Sequence, residues 1–351
     1  MERVAGLLQD SRLLCGKARW RALGQGRQLI NEYVIIAYRL EARDPMIRPV
    51  VTGLSVLAIA LAAEAVAQDG GSLNPQPLPP LADPADPNTP AKELFARKPE
   101  PVHLAARAIG NYVHGCLAGA VALPINGKTW QVMRVSRNRN WGHPDLIRFL
   151  ERLADRVPRV GWPGLLVGDL AQPRGGAMLT GHTSHQIGLD ADIWLTPMPD
   201  HALSRKEREE MSATNVVAAD RTEVDPRVWT PAHVAVIRAA AEDPEVERIF
   251  VNAAIKKALC RDPGSNPAWL HKVRPWWHHD YHFHVRIHCP AGNPDCHGQP
   301  PPSPDGGCGT ELDSWFTDAV LHPKPEPLSP PKPPIKLADL PPACRQVLAA
   351  P

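Results

Sequence analysis

The chain runs to 351 residues, with 39 Lys and Arg against 37 Asp and Glu and a formal net charge of +2. A balance so near neutrality, with no basic run interleaved with aromatics, gives no footing to nucleic-acid binding. Apolar residues make up 43% of the chain, enough for one substantial core, and the 40 prolines gather largely in two segments outside it.

The first distinctive stretch is MIRPVVTGLSVLAIALAAEAVAQDG, from Met46. A basic residue, an apolar run over residues 50–63 and then Ala65-Val66-Ala67 follow the order of a secretory signal and its cleavage site. The run is short for a membrane span, and Glu64 interrupts its end. Because the segment starts on its own methionine, residues 1–45 are expected to be an upstream extension from a mistaken start. Residues 46–67 are then the signal and Gln68 the mature N-terminus. Export of this kind predicts a periplasmic protein with no stable membrane association after signal cleavage. A cytoplasmic arm with an uncleaved anchor is the alternative.

Residues 68–101 include NPQPLPPLADPADPNTP, too proline-dense for helix or sheet, and are expected to form an extended linker. The folded domain is expected over residues 102–298, with a second proline-rich segment over 299–351. Within the domain, His143-Pro144-Asp145 opens an amphipathic helix that buries Leu146, Ile147, Phe149, Leu150, Leu153 and Val157 and ends before Pro158. A strand over 165–169 leads through a Gly-rich loop into GHTSHQIGLDADIWL, from Gly181. A helix over 231–241 starts from Thr230 as N-cap, and a short strand over 249–252 leads to a helix ending near Cys260. Strands first and last around helices predict an α+β class, a single domain whose antiparallel sheet is flanked by helices. The oligomeric state is left open, a homo-oligomer included.

Two runs carry chemistry. In GHTSHQIGLDADIWL, His185 is followed seven residues on by Asp192, and in PWWHHDYHFHVRIHCP, from Pro275, His282 and His284 lie two apart on a strand. Over residues 281–288, His282, His284, Arg286 and His288 point to one face, and Tyr281, Phe283, Val285 and Ile287 to the other. Stacked imidazoles beside an arginine repel one another if protonated, so they are expected to be neutral and to offer lone pairs to a metal. In the first run Asp190, Asp192 and Trp194 share a face, so spacing does not choose between Asp190 and Asp192 as a ligand. Two imidazoles and a carboxylate without thiolates match a catalytic zinc site, which keeps an open position, better than a closed structural one. Zinc activates water at neutral pH, so no serine or cysteine nucleophile is required. No Ser-x-x-Lys or G-x-S-x-G surrounds Ser184, the serine beside these histidines.

The runs NGKTWQVMRVSRNRNWGHPDL from Asn126, PRGGAMLTGHTSHQIGLDADIWL from Pro173 and HHDYHFHVRIHCP from His278 resemble the penicillin-insensitive murein endopeptidases. The wider group of zinc peptidases, with D-Ala-D-Ala dipeptidases and the hedgehog domain, shares the H-x6-D and H-x-H pattern. The resemblance covers roughly residues 105–344. It implies His185, Asp192 and His284 as zinc ligands, His282 as the catalytic base, His279 near the catalytic centre and His182 as a further histidine of the metal site. A second metal position would fall at Asp220 and Glu223, where this chain has Glu in place of an expected His. The activity implied is zinc-dependent hydrolysis of D-alanyl to meso-diaminopimelyl cross-links in peptidoglycan. A D,D-carboxypeptidase and a non-catalytic zinc-containing wall-binding module are the alternatives.

Without Cys15, in the suspect extension, the cysteines form an even set suited to disulfides in an oxidising compartment, and sequence alone does not connect them. The resemblance implies Cys116–Cys344, Cys260–Cys308 and Cys289–Cys296. Trp276 and Trp277 are candidates for walling a substrate groove. Arg134, Arg137 and Arg139 are candidates for binding substrate carboxylates. Surface solvation is the rival role for the arginines, and core packing for the tryptophans.

Overall fold

A computed structural model describes residues 70–83, 86–323 and 333–351. The expected upstream extension and signal, residues 1–67, lie outside the described residues. No helix among the described residues is long and apolar enough to cross a membrane.

The chain enters through a short helix α1 (Ala91–Phe95) and a hairpin of β1 (Arg107–Asn111) and β2 (His114–Ala118). Next come the two-residue strand β3 (Val121–Ala122), then β4 (Trp130–Val132) and β5 (Trp141–Gly142), which pairs with β3. Helix α2 (Pro144–Arg156) leads to β6 (Leu165–Val167) and β7 (Asp190–Trp194). Helices α3 (Arg205–Glu210) and α4 (Pro231–Ala241) precede β8 (Val246–Val251). Helix α5 (Ala253–Arg261), β9 (Val273–Pro275) and β10 (His282–Ile287) follow, and then α6 (Thr310–Asp313), α7 (Asp318–Leu321) and α8 (Ala343–Ala349).

The local chemistry sets these boundaries. His143 caps α2 by accepting from the Asp145 N–H at 3.2 Å, Pro144 fills the first position where no N–H is needed, and Arg156 faces the C-terminal end of the dipole. The buried side of α2 is Leu146, Ile147, Phe149, Leu150, Leu153 and Ala154, the apolar stripe legible in the sequence. Helix α4 starts from Thr230, as its sequence predicts, with His233 Nδ1 accepting from the Thr230 N–H at 3.1 Å.

Six strands form the central sheet in the order β4-β6-β7-β10-β8-β9. The strands that carry the candidate site, β7 and β10, pair antiparallel with each other, and β8 and β6 flank them antiparallel; β4 and β9 add parallel edges. The α+β class holds. Alternation sends Ala191, Ile193, Phe283 and Val285 to the face that packs with Leu146, Leu150, Val236 and Ile255 of the helices in one core. Asp190, Asp192, His282, His284 and Arg286 take the other face, and they too are buried.

The linker expectation is corrected at its C-terminal end. Residues 91–95 are helical, and Ala91 and Phe95 are fully buried in a second cluster with Ile109, Cys116, Leu340, Cys344 and Val347. Phe95 finds this seat because Gly176, at a φ of 75°, has no side chain: a Cβ there would sit 2.3 Å from the Phe95 ring. The same cluster makes the C-terminal segment part of the domain, since Cys116–Cys344 ties α8 to β2. The other disulfides are Cys260–Cys308 and Cys289–Cys296, so all three pairs implied by the resemblance are formed.

Candidate metal centre

The register of two strands assembles the site. His284 of β10 sits opposite Asp192 of β7, and Arg286 sits opposite Asp190. Directly opposed residues bring their side chains within about 5 Å on one face, so each imidazole or guanidinium meets a carboxylate. His185 arrives from the loop before β7 with a φ of 66°, and Gly188, at 70°, lets that loop turn into the strand close to Leu117. Two more histidines, His278 and His279, have φ of 59° and 53° just before β10. Non-glycine residues in this region cost about 1–3 kcal/mol each and cluster at functional sites.

Asp192 Oδ1 is the hub. His284 Nδ1 lies 3.2 Å from it, His185 Nε2 3.5 Å and His282 Nε2 3.6 Å. His182 Nε2 approaches the other oxygen at 3.5 Å and also reaches Asp169 Oδ2 at 3.0 Å. His182, His185 and Asp192 offer one ligand atom each within 4.8 Å of one another, so they can hold a metal ion. His284, outside that group, brings its Nδ1 to 3.2 Å from Asp192 Oδ1 from the facing strand.

The donor set fits a metal on two grounds. His185 Nε2 and Asp192 Oδ1 are buried with no hydrogen-bond partner, a costly state that an ion relieves. Neighbouring ligand atoms on a tetrahedral ion with bonds of about 2.0–2.1 Å are about 3.3 Å apart, and the separations from Asp192 Oδ1 match that edge length.

Asp190 supports the arrangement without joining it. It is fully buried, and it accepts from His284 Nε2 at 2.9 Å, Arg286 Nε at 2.7 Å and the His185 backbone N–H at 3.0 Å. Arg286 also donates to Gln299 at 2.7 Å and lies 3.9 Å over the Tyr112 ring, so it acts as a structural partner in this fold. Asp169 plays a similar part for His182, accepting as well from Arg137 and Arg139 at 2.9 Å each.

Electrostatics follow from these contacts. Burial pushes His185 down to about 4, and it lowers His282 and takes His279 to about 3, with His282 and His284 adding repulsion at the last. Burial also opposes charge on His284, yet Asp190 and Asp192 raise it to about 9. Against the same desolvation, His282 and His185 hold Asp192 well below the usual carboxylate range. Burial thus disfavours charge on His185, His279 and His282, whereas the two aspartates favour it on His284.

Arg134 and Arg137 line a small pocket with Asp169, Asp192, Tyr281 and His282. Both are engaged by the protein: Arg134 donates to the Arg208 and Met211 carbonyls at 2.8 Å each, and Arg137 donates to Asp169 and to the Gly70 carbonyl at 3.0 Å. Trp276 and Trp277 are 52% and 45% exposed beside the site, and Trp194 is buried against Met133 and Leu203.

The two residues of the expected second metal position have protein partners of their own. Glu223 is clamped by Lys257 at 2.7 Å and Arg261 at 3.1 Å, and Asp220 accepts from the Thr222 N–H at an exposed turn. An ammonium and a guanidinium on Glu223 disfavour a further cation there.

Residues 108–349 match the family model for penicillin-insensitive murein endopeptidase, more than half of the chain. The chain belongs to the penicillin-insensitive murein endopeptidase family. Relatives that carry this name include one from Haemophilus influenzae, 47% identical over 251 residues, covering 70% of this chain and 84% of the relative. One from Klebsiella pneumoniae is 45% identical over 251 residues, covering 71% and 88%. One from Yersinia enterocolitica is 44% identical over 248 residues, covering 71% and 87%. The murein endopeptidase family match takes in both of the candidate metal-site runs and all six disulfide cysteines. Membership makes the protein a peptidase.

Sequence reasoning missed Asp190 and Asp169 as organising carboxylates. Asp190 shares a face with Asp192, a visible signal, but its partners are set by strand register.

Proposed function

We propose that the protein is a zinc-dependent, penicillin-insensitive murein endopeptidase that hydrolyses D-alanyl to meso-diaminopimelyl cross-links of peptidoglycan in the periplasm. The observation that carries this is the convergence of His185, His282 and His284 on the partnerless Asp192 Oδ1, in a chain whose relatives are named murein endopeptidases. Residues 46–67 act as the export signal, in keeping with three disulfides in the domain.

His185 Nε2, Asp192 Oδ1 and His284 Nδ1 would hold the ion. A zinc ion bound there supplies Lewis acidity and activates water at neutral pH. His282 is neutral because burial lowers its pKa, so its Nε2 takes a proton as the scissile carbonyl is attacked and returns it to the leaving amine. His279 lies beside the proposed base, its ring 4.8 Å from that of His282. Its Nδ1 hydrogen goes to the Trp277 carbonyl at 2.6 Å, so the neutral ring presents a lone pair on Nε2 and accepts rather than donates. Arg134 and Arg137 line the pocket beside Asp192 together with Asp169, and are the candidates there for meeting a substrate carboxylate.

Penicillin acylates an active-site serine, and this chemistry uses none. The test is digestion of cross-linked muropeptide dimers, with the new termini identified. A new D-alanine carboxylate and diaminopimelate amine mean endopeptidase, free D-alanine alone means carboxypeptidase, and intact bound dimers mean a wall-binding module.

A further inference from the structure

Beside the metal cluster two adjacent indoles stand out of the surface, Trp276 at 52% and Trp277 at 45% exposure. Indoles are seldom left so open without a partner, and adjacent ones form an apolar patch. A third comes from far along the chain: the Trp315 ring lies 4.9 Å from that of Trp277, inclined at 60°. Three fastenings hold the turn that carries it. Cys260–Cys308 anchors its approach, Arg274 pairs with Glu311 on α6, and Lys257 lies 4.9 Å over the ring of Phe316.

The backbone beneath is bent and tied by hydrogen bonds. Asn252 Nδ2 donates to the His278 carbonyl at 2.9 Å, and the Asn252 N–H donates to the His279 carbonyl at 3.0 Å. The left-handed conformations of His278 and His279 sit between the indoles and β10. A small groove there is lined by the three indoles together with Arg221, Asn252, Ala253, His278, Val320 and Leu321, a mixed apolar and polar lining.

This ledge is continuous with the metal cluster. The Trp276 ring meets Phe250 edge-on at 5.7 Å, and Phe250 meets His284 at 5.4 Å. The Trp277 carbonyl is the partner of His279. A pyranose ring has the matching shape, with one face of C–H groups for the indoles and a rim of hydroxyl and amide groups for the polar side chains. In murein the stem peptide hangs from such a ring, and about four extended residues span about 13 Å, a reach that takes the chain from the cluster past Trp276.

We propose that Trp276, Trp277 and Trp315 form a carbohydrate subsite that binds an N-acetylated hexosamine of the glycan strand carrying the stem peptide to be cut. The proposal rests on the murein endopeptidase function above and names the part of the substrate recognised outside the scissile bond. The C-terminal segment is thereby a substrate-binding element, delivered by the Cys260–Cys308 tether.

The experiment compares two dimers on the zinc-loaded protein: a cross-linked tetrapeptide dimer with its disaccharides, and the same dimer after an amidase has removed them. Stacking of one ring on indole predicts a kcat/KM ratio of about tenfold in favour of the sugar-bearing dimer. In Trp315→Ala that ratio collapses toward one through KM, and Trp315→Phe recovers part of it, which a folding defect does not imitate. A wild-type ratio near one, or a ratio kept in Trp315→Ala, overturns the subsite. A second reading separates this from the function: an uncross-linked disaccharide-tripeptide should quench tryptophan fluorescence in the wild type and not in Trp315→Ala. Quenching without cleavage of either dimer means that the catalytic function fails while the subsite stands. No quenching in the wild type, or self-association through the ledge in place of sugar binding, counts against it.

Discussion

Asp190 Oδ1 accepts a hydrogen bond from His284 Nε2 at 2.9 Å, and this decides which nitrogen of His284 faces the metal cluster. With Nε2–H committed, Nδ1 is left 3.2 Å from Asp192 Oδ1. The sheet register that opposes Arg286 to Asp190 supplies the charge that keeps Asp190 ionised while fully buried. Orienting partners of this kind are worth about 10–100-fold in metal affinity. Asp190→Asn should therefore lower zinc affinity by about that factor in competition with a chromogenic chelator. Asp190→Ala leaves Arg286 buried and unpaired and should also cost about 3–5 kcal/mol in denaturant unfolding.

Metal uptake should release a proton. In the metal-free protein His284 titrates near 9, whereas burial keeps His185 near 4 and lowers His282, and Asp192 is already ionised. At neutral pH one proton must leave His284 Nδ1 before it can ligate. Apparent affinity should rise by about tenfold per pH unit from about 6 to 9 and then level off, as calorimetry in buffers of different ionisation enthalpy will report. The raised pKa also stabilises the metal-free fold: that contribution is complete below about 6.5 and is lost as pH rises through about 9. The metal-loaded protein should lack this decline.

His282→Ala separates holding the metal from moving the proton. Its ring is buried, lowered in pKa and 3.6 Å from Asp192, so removing it takes away the base and leaves His185, Asp192 and His284. Turnover of muropeptide dimers should fall by about 10²–10⁴-fold with zinc content unchanged. A variant that turns over dimers at the wild-type rate contradicts the assignment.

Cys116–Cys344 closes a separation of 228 residues and sits inside the cluster of α1, β1, β2 and α8. Paired replacement by serine should cost about 2–5 kcal/mol in thermal or denaturant unfolding, since the loop it closes in the unfolded chain is long.

The parts of the fold governed by short-range chemistry were legible from the residues. The cap and stripe of α2, the start of α4 at Thr230 and the alternation of β10 all came from local pattern. The hairpin of β1 and β2 was missed because RAIGN and HGCLA contain glycine and little alternation. Edge strands β4 and β9, three residues each, are too short to declare a period. Helix α1 falls within the expected linker because the burial of Phe95 depends on a distant partner, Gly176. In the site, the face shared by Asp190 and Asp192 was visible, but their division of labour was not. It depends on which residue of β10 lies opposite each, a relation that local sequence does not encode.

The most direct measurement is zinc titration of the chelated protein against a cross-linked muropeptide dimer in the presence of penicillin. The account predicts no cleavage without metal, and then monomers whose rate of formation saturates at one zinc per chain, because Glu223 is neutralised by Lys257 and Arg261 rather than free for a second ion. Dimers left intact at one equivalent of zinc, or cleaved at full rate by the chelated protein, would contradict it.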